Sequence, residues 1–512
     1  MAVLVSLAGA GPLWAEPTRE SIDASIARAM DVFDAPGMAV SVVHGGRLFY
    51  SDGHGSVEVD SDTRVGDRTL FQIGSVTKAF TAAALALLAD EGRLAWEDPV
   101  SDHLPEFRMH DPWVTREFTV RDLLTHRSGL PLGAGDLLIF PDGHATPDEV
   151  VRALRYLEPA SSFRSRFDYD NLLYIVAGEV VARGSGGGFE TFLEQRLLRP
   201  LGMTDCVASA ERAPQGADLA TPHVVVDGRL ETTTTRVTGA VSAAGGITCS
   251  ARSMARWMSF LLAEGVTEEG ARLISAEQFR QLTQPVTLLP VAGYLAEHAG
   301  ASLSAYALGW NVSTFYGQPM LSHGGAVWGM TTFIAVLPRQ GLAVFATNNQ
   351  MSAAPRAVVN DIVHQFLADE AEGERDWIGI LSAATRSRQD AADAVVAAAW
   401  QSRAADSAPS LPLEAYAGRY RDDWYGEIRI TLEEGRLWFH SDRNPPLQGP
   451  LEHFQHDTFV ARWTDRGLMA DAYVTFSLAP EGSVERIRMK AVSPATDFSY
   501  DFHDLDLRPV TP

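Results

Sequence analysis

Phe71-Gln-Ile-Gly-Ser75-Val-Thr-Lys78-Ala-Phe-Thr-Ala-Ala-Ala-Leu-Ala-Leu-Leu-Ala89 decides the fold. From Ala79 onward it is built of strong helix formers, apolar on every side, and Gly92 ends it. A helix apolar all round lies inside a large protein. This one is too short to cross a bilayer. Ser75 stands at its N-terminus, where free amides and the helix dipole favour developing negative charge. Lys78, one turn on, is carried inward, where lost solvation lowers the pKa of its amine.

The lysine is informative because lysine is so scarce. Of 42 Lys and Arg residues, only Lys78 and Lys490 are lysines. Arginine stays protonated, so it cannot replace a lysine needed as a neutral amine. Ser-x-x-Lys is then read as a nucleophile followed by its activating base.

At 512 residues the chain has room for two or more domains. Its charged and apolar fractions, 21% and 46%, are those of a globular protein. A net charge of −23 argues against nucleic acid or an anionic membrane as a partner. The two cysteines, Cys206 and Cys249, fit no metal-ligand spacing. They are compatible with one disulfide or with two buried thiols. Residues 1–16 look like the apolar core and small-residue end of an export signal, with cleavage near Ala15. That predicts a periplasmic or secreted protein.

Working outward, residues 18–33 read as an amphipathic helix and 37–51 as a hairpin around Gly45-Gly46. Residues 93–170 are loop-rich, as segments that build a site often are. Helices are expected at about 171–183, 189–198, 251–264 and 354–368, and an antiparallel sheet over Tyr306 to Asn348. The class is α/β (α+β), with one mixed domain over 17–370. Residues 371–410 are a helical linker. Beyond it, over 411–512, six short alternating strands predict a small all-β barrel. The sequence leaves three roles open for that barrel: stability, oligomerisation, or projecting a residue into the site.

Three further stretches fit one site. In Phe167-Asp-Tyr169-Asp-Asn171, a tyrosine near a lysine can have its phenol pKa lowered and relay a proton. Asn171 can hold Lys78 or a substrate amide. In Leu321-Ser-His323-Gly324-Gly325-Ala326, glycines on a strand let a substrate backbone approach closely, and His323 offers a donor or an acid/base group. In Leu123-Leu-Thr-His126-Arg-Ser-Gly129, nothing places His126 beside Ser75, and it is read as structural.

Together with Leu-Gly-Met203 and Ala-Gly-Gly246-Ile, these motifs resemble, in order, the serine β-lactamase and penicillin-binding-protein superfamily. The branch is that of class C β-lactamases, D-aminopeptidases, alkaline D-peptidases and related esterases. The resemblance covers about residues 20–370. The segment from Leu413 resembles the lipocalin-like β domain often fused to such hydrolases. The resemblance implies that Ser75 is acylated, that Lys78 is its base, and that Tyr169 is the general acid/base. It implies that Asn171 is its partner and that His323-Gly324-Gly325 forms the third motif. The oxyanion hole would be the backbone N–H groups of Ser75 and Ala326. β-Lactamases usually carry Lys-Thr-Gly at the third motif. The histidine here resembles the peptidase members instead.

The expectation is therefore a serine hydrolase on small peptide, amide or ester substrates, foremost short or D-residue-containing peptides. It needs no cofactor and no metal, and it has no membrane span. A carboxylesterase with weak β-lactam turnover and a non-catalytic peptide or wall-fragment receptor are the alternatives. A homo-oligomer is compatible with all of them.

Overall fold

The computed structural model describes residues 16–234, 239–368 and 373–510. The signal-like segment lies outside the described residues except for Glu16.

The helix Arg19–Phe33 is capped by the Thr18 hydroxyl, which accepts from the Ser21 N–H. It leads into the hairpin of Gly37–His44 and Arg47–Gly55. That hairpin joins strands almost 300 residues downstream. Gly37–His44 pairs antiparallel with Leu342–Asn348, followed across the sheet by Met330–Leu337, Gln318–Val327 and Asn311–Phe315. Eight strands make up this sheet.

The two-residue period of a strand sorts its side chains between two cores. From Gly37–His44, Ala39 and Val43 enter one core, and Met38, Val40 and Val42 the other. Arg19–Phe33, Ala354–Leu367 and the start of Trp377–Ser402 cover the second face. A helical lobe covers the first. At its centre is Thr77–Asp90, buried continuously from Thr77 to Leu88, with Phe80 stacked on Trp257 at 4.1 Å.

Residues 93–170 differ from the looped reading. They hold the short helices Val100–His103, Pro112–Glu117 and Pro147–Ala153. One to two turns are too few for a helical period to register in sequence. Thr146 and Glu149 nevertheless form a capping box around Pro147.

The linker helix is Trp377–Ser402. After it, eight antiparallel strands form a nearly closed barrel, two more than the sequence suggests. The first additional strand, Gln448–Gln455, contains Gly449 and Pro450, two residue types disfavoured inside a strand. In the structure the Pro450 carbonyl accepts from the Arg462 N–H, and a Cβ on Gly449 would lie 2.0 Å from the Arg462 carbonyl oxygen. The other, Arg508–Pro509, pairs with the barrel's first strand. Just before it, Leu507 exchanges both backbone hydrogen bonds with Ile487, joining the barrel's two ends. The barrel core is continuous with that of the helical lobe.

Cys206 and Cys249 form a disulfide that closes 43 residues of chain. It ties Thr248–Ser250 to the segment beside it. Loop-closure entropy assigns such a link about 4 kcal/mol. The Cys206→Ala/Cys249→Ala protein should melt several degrees lower, and a reductant should lower the wild-type Tm but not the variant's. No helix among the described residues is long and apolar enough to cross a membrane.

Candidate active site

The strand Leu70–Gln72 pairs with Thr248–Ser250 and hands the chain to the turn Gly74–Val76. Ser75 therefore sits at the mouth of the buried helix, facing the strand Gln318–Val327. Two glycines make this approach possible. Gly74 has φ +51°, and a Cβ there would lie 2.5 Å from the Ala326 nitrogen. A Cβ on Gly325 would lie 1.9 Å from the Ile73 carbonyl oxygen and 3.2 Å from the Ser75 nitrogen. The backbone of Ser75 and that of the exposed Ala326 are thus neighbours across a contact that admits no side chain. Gly325→Ala must push the strand away from Ser75. Where the Ser75 and Ala326 N–H groups serve as oxyanion donors, as the family resemblance implies, the expected result is a loss of about 10²–10³ in kcat with KM changed less. Steady-state kinetics would check it.

Lys78 is fully buried. Its Nζ lies 3.1 Å from Ser75 Oγ, 2.7 Å from Asn171 Oδ1 and 2.9 Å from the Ala244 carbonyl oxygen. A neutral amine has two N–H bonds and one lone pair. Two of its three neighbours are carbonyl oxygens, which can only accept. The lone pair then points at Ser75 Oγ, the one neighbour that can donate. Burial lowers the Lys78 pKa to about 7, although the Asp136 and Asp170 carboxyls oppose that shift. The same burial raises Asp136 and Asp170 to about 7 each. All three groups are therefore held toward their neutral forms.

The Tyr169 ring lies 4.8 Å from Lys78 Nζ, and its hydroxyl contacts Ser75. The phenol pKa is not lowered by the lysine, as the sequence suggested. Enclosure of the hydroxyl raises it well above its ordinary value, and Tyr306 and the nearby carboxyls of Asp136 and Asp170 push it the same way. Tyr169 is held as the neutral phenol, not as a resident phenolate.

His323 also departs from expectation. Its Nε2 lies 2.9 Å from the Tyr306 hydroxyl and its Nδ1 2.6 Å from the Gly324 carbonyl oxygen. Burial takes its pKa down to about 3. The ring is neutral, with both nitrogens occupied, so proton exchange at neutral pH does not fit it. Its place is beside Tyr169, at 6.4 Å between rings. Gly324 faces Arg356 rather than Ser75. His126 makes no hydrogen bond to Ser75 or Lys78 among the described contacts, although the Lys78 charge reaches it. It packs behind Tyr169 at 4.1 Å between ring centres and accepts from the Asp170 N–H.

Sequence reasoning missed Asp136, Asp170, Tyr306 and Ala244. None belongs to a motif of its own. Asp170 sits between Tyr169 and Asn171, and its complete burial is the signal that was available only in three dimensions.

An antiparallel sheet carrying a Ser-x-x-Lys pair at the head of a buried helix defines the β-lactamase-like class of fold. The chain belongs to the beta-lactamase family, whose model matches residues 22–368. It is a hydrolase-fold member of that superfamily. Residues 402–509 match a second family, described only as a domain of unknown function, DUF3471. The chain is similar to the unguisins hydrolase ungD' of Aspergillus campestris, with 28% identity over 488 residues, 91% of this chain and 88% of that one. Among solved structures, the octameric penicillin-binding protein homologue from Pyrococcus abyssi superposes with a TM-score of 0.62 at 21% identity. It covers 92% of this chain and 97% of its own. A D-stereospecific amidohydrolase from Streptomyces sp. gives 0.53 at 23% identity, over 65% of this chain and 94% of its own. At such identities the two structures establish the fold.

Proposed function

We propose that this protein is a serine hydrolase that forms an acyl-enzyme at Ser75, acting as a peptidase or amidase on short or D-residue-containing peptides. One observation carries the reading: the buried Lys78 Nζ lies 3.1 Å from Ser75 Oγ and within hydrogen-bond reach of two carbonyl oxygens, so its neutral form has its two protons for the carbonyls and its lone pair for Oγ. Lys78 takes the proton as Oγ attacks the carbonyl carbon of the substrate. The N–H groups of Ser75 and Ala326 receive the oxyanion. Tyr169 passes a proton to the leaving amine, and Lys78 returns one to Tyr169. Water then hydrolyses the ester by the same steps in reverse order of attack and departure.

Amide specificity is supported by the relatives: one is named a hydrolase of unguisins, and a structural neighbour is a D-stereospecific amidohydrolase. The third motif bears on β-lactams. It offers a neutral histidine where a carboxylate would want a cation. The octameric neighbour supports a homo-oligomer, and the disulfide supports an oxidising compartment such as the periplasm or the exterior.

The test is a matched panel of L- and D-aminoacyl anilides, short peptides, a p-nitrophenyl ester and a chromogenic cephalosporin. Amide or peptide turnover supports the proposal and reads out its stereochemistry. Turnover of the ester alone makes the protein a carboxylesterase. Binding without turnover on any substrate makes it a receptor.

A further inference from the structure

The hydrogen bonds that aim the Lys78 amine continue past Asn171 and end in the C-terminal barrel. Asn171 presents Oδ1 to Lys78 because its Nδ2 is engaged, donating to Asp136 Oδ2 at 2.7 Å. A flipped amide would set N–H groups against the amine. The same Asp136 Oδ2 accepts from Ser499 Oγ at 2.8 Å. Ser499 and Asp136 are both buried, and 363 residues separate them.

The barrel is seated firmly at this point. Asp501 accepts from the N–H groups of Gly135 and Leu137 at 2.6 and 3.0 Å. Asn444 donates to the Leu137 and Phe140 carbonyls. A Cβ on Gly133 would lie 2.6 Å from the Phe498 carbonyl oxygen, and the Phe498 ring meets Tyr169 edge-on at 5.8 Å. Docking alone does not require a hydroxyl at 499, since Asp501 and Asn444 already hold the 135–140 turn.

We infer that Ser499 of the barrel is a positioning residue of the active site, acting through Asp136 and Asn171 to direct the Lys78 lone pair at Ser75. Its donated hydrogen bond keeps Asp136 Oδ2 an acceptor, which keeps the Asn171 amide in the orientation Lys78 needs. The inference rests on Ser75 being acylated with Lys78 as base.

The ionisable groups facing this chain are few. Asp170, Tyr169, Tyr174, His126 and His323 surround Lys78, and Asp497 and Asp501 approach Asp136 from the barrel. Burial keeps the two tyrosines and the two histidines neutral near pH 7. The Ser499 bond favours ionised Asp136, and that negative charge raises the pKa of Lys78. Without the bond Asp136 ionises less, Lys78 loses its proton more readily, and the acid limb of acylation moves to lower pH.

The experiment uses the full chain as wild type, Ser499→Ala, Ser499→Thr and Asp136→Asn. A biotinylated fluorophosphonate is the probe, with the labelling rate constant followed against pH and the adduct located by peptide mass. KM and kcat on p-nitrophenyl acetate and thermal unfolding accompany it. Ser499→Ala should label about tenfold more slowly at its plateau, the effect of one bond to a charged group. Its acid limb should move to lower pH and its KM should stay unchanged. Ser499→Thr should recover the wild-type rate and limb. Asp136→Asn, which keeps the shape but cannot ionise, should move the limb in the same direction, and it decides the matter should Ser499→Ala not fold. A wild-type rate and limb in Ser499→Ala, or an unmoved limb in Asp136→Asn, overturns the inference. Wild type left unlabelled at Ser75 overturns the acyl-enzyme reading, and the inference with it.

Discussion

Ser75→Ala is expected to lower kcat on every substrate the protein turns over by on the order of 10³-fold or more, with KM little changed. The substitution removes one oxygen from a part-exposed position, so the fold has no reason to respond. The backbone N–H groups of residues 75 and 326, the proposed oxyanion pocket, are untouched, so substrate should still bind. What disappears is the atom proposed to attack. The Lys78 lone pair, 3.1 Å from Oγ in the native site, is left without a proton to take. Wild-type protein quenched during turnover should carry substrate acyl mass on the peptide containing Ser75. The alanine variant should carry none. Undiminished turnover in Ser75→Ala would refute the nucleophile assignment outright.

Lys78→Arg is expected to cost about 10²–10⁴-fold in kcat/KM, the range for loss of a general base. A positive charge is retained, so a purely electrostatic role would be spared. Arginine cannot become neutral, and five N–H bonds have no use beside two carbonyl acceptors in a buried slot. The wild-type pH profile gives the complementary reading. Burial brings the lysine to about 7, and the proposed mechanism uses the neutral amine. Acylation should therefore be weak below that pH and rise through it. Linkage fixes the sign for stability as well. Between about 7 and the ordinary lysine value of 10.5, the unfolded chain binds more protons at this position than the folded one. The contribution of Lys78 to stability accordingly increases with pH across that window and is least below it. A profile flat through neutrality would mean that Lys78 stays charged and that Tyr169 or water accepts the serine proton.

The local features of this protein were legible because they depend on near neighbours. Residues 79–89 are apolar on all sides, which makes a helix and buries it. Ser75 and Lys78 are three residues apart, which sets them on one turn, and the rarity of lysine singled out the pair. The strand period between Tyr306 and Asn348 marked a sheet, and the alanine-rich run over 376–404 marked the linker helix, whose first turn the structure shows capped by Asp376. The barrel was recognisable as a barrel. Two of its strands were not, because Gly449 and Pro450 are residue types disfavoured inside a strand and Arg508–Pro509 pairs for only two residues.

The sequence by itself determined that a serine and a desolvated lysine share one helical turn, since an i, i+3 relation needs nothing beyond the helix. Whether that lysine has a lone pair to offer was decided by tertiary structure. The atoms that take its protons belong to Asn171 and Ala244, 93 and 166 residues away. The protonation states followed the same division. A lysine nearby suggested a lowered tyrosine pKa, and the glycine motif on a strand suggested His323 as a donor or acid/base group. Burial, which the stretches around Tyr169 and His323 do not report, raised the first and left the second neutral. Hydrogen-bond direction and desolvation depend on what lies on the far side of each atom, and in this chain the far side comes from hundreds of residues away.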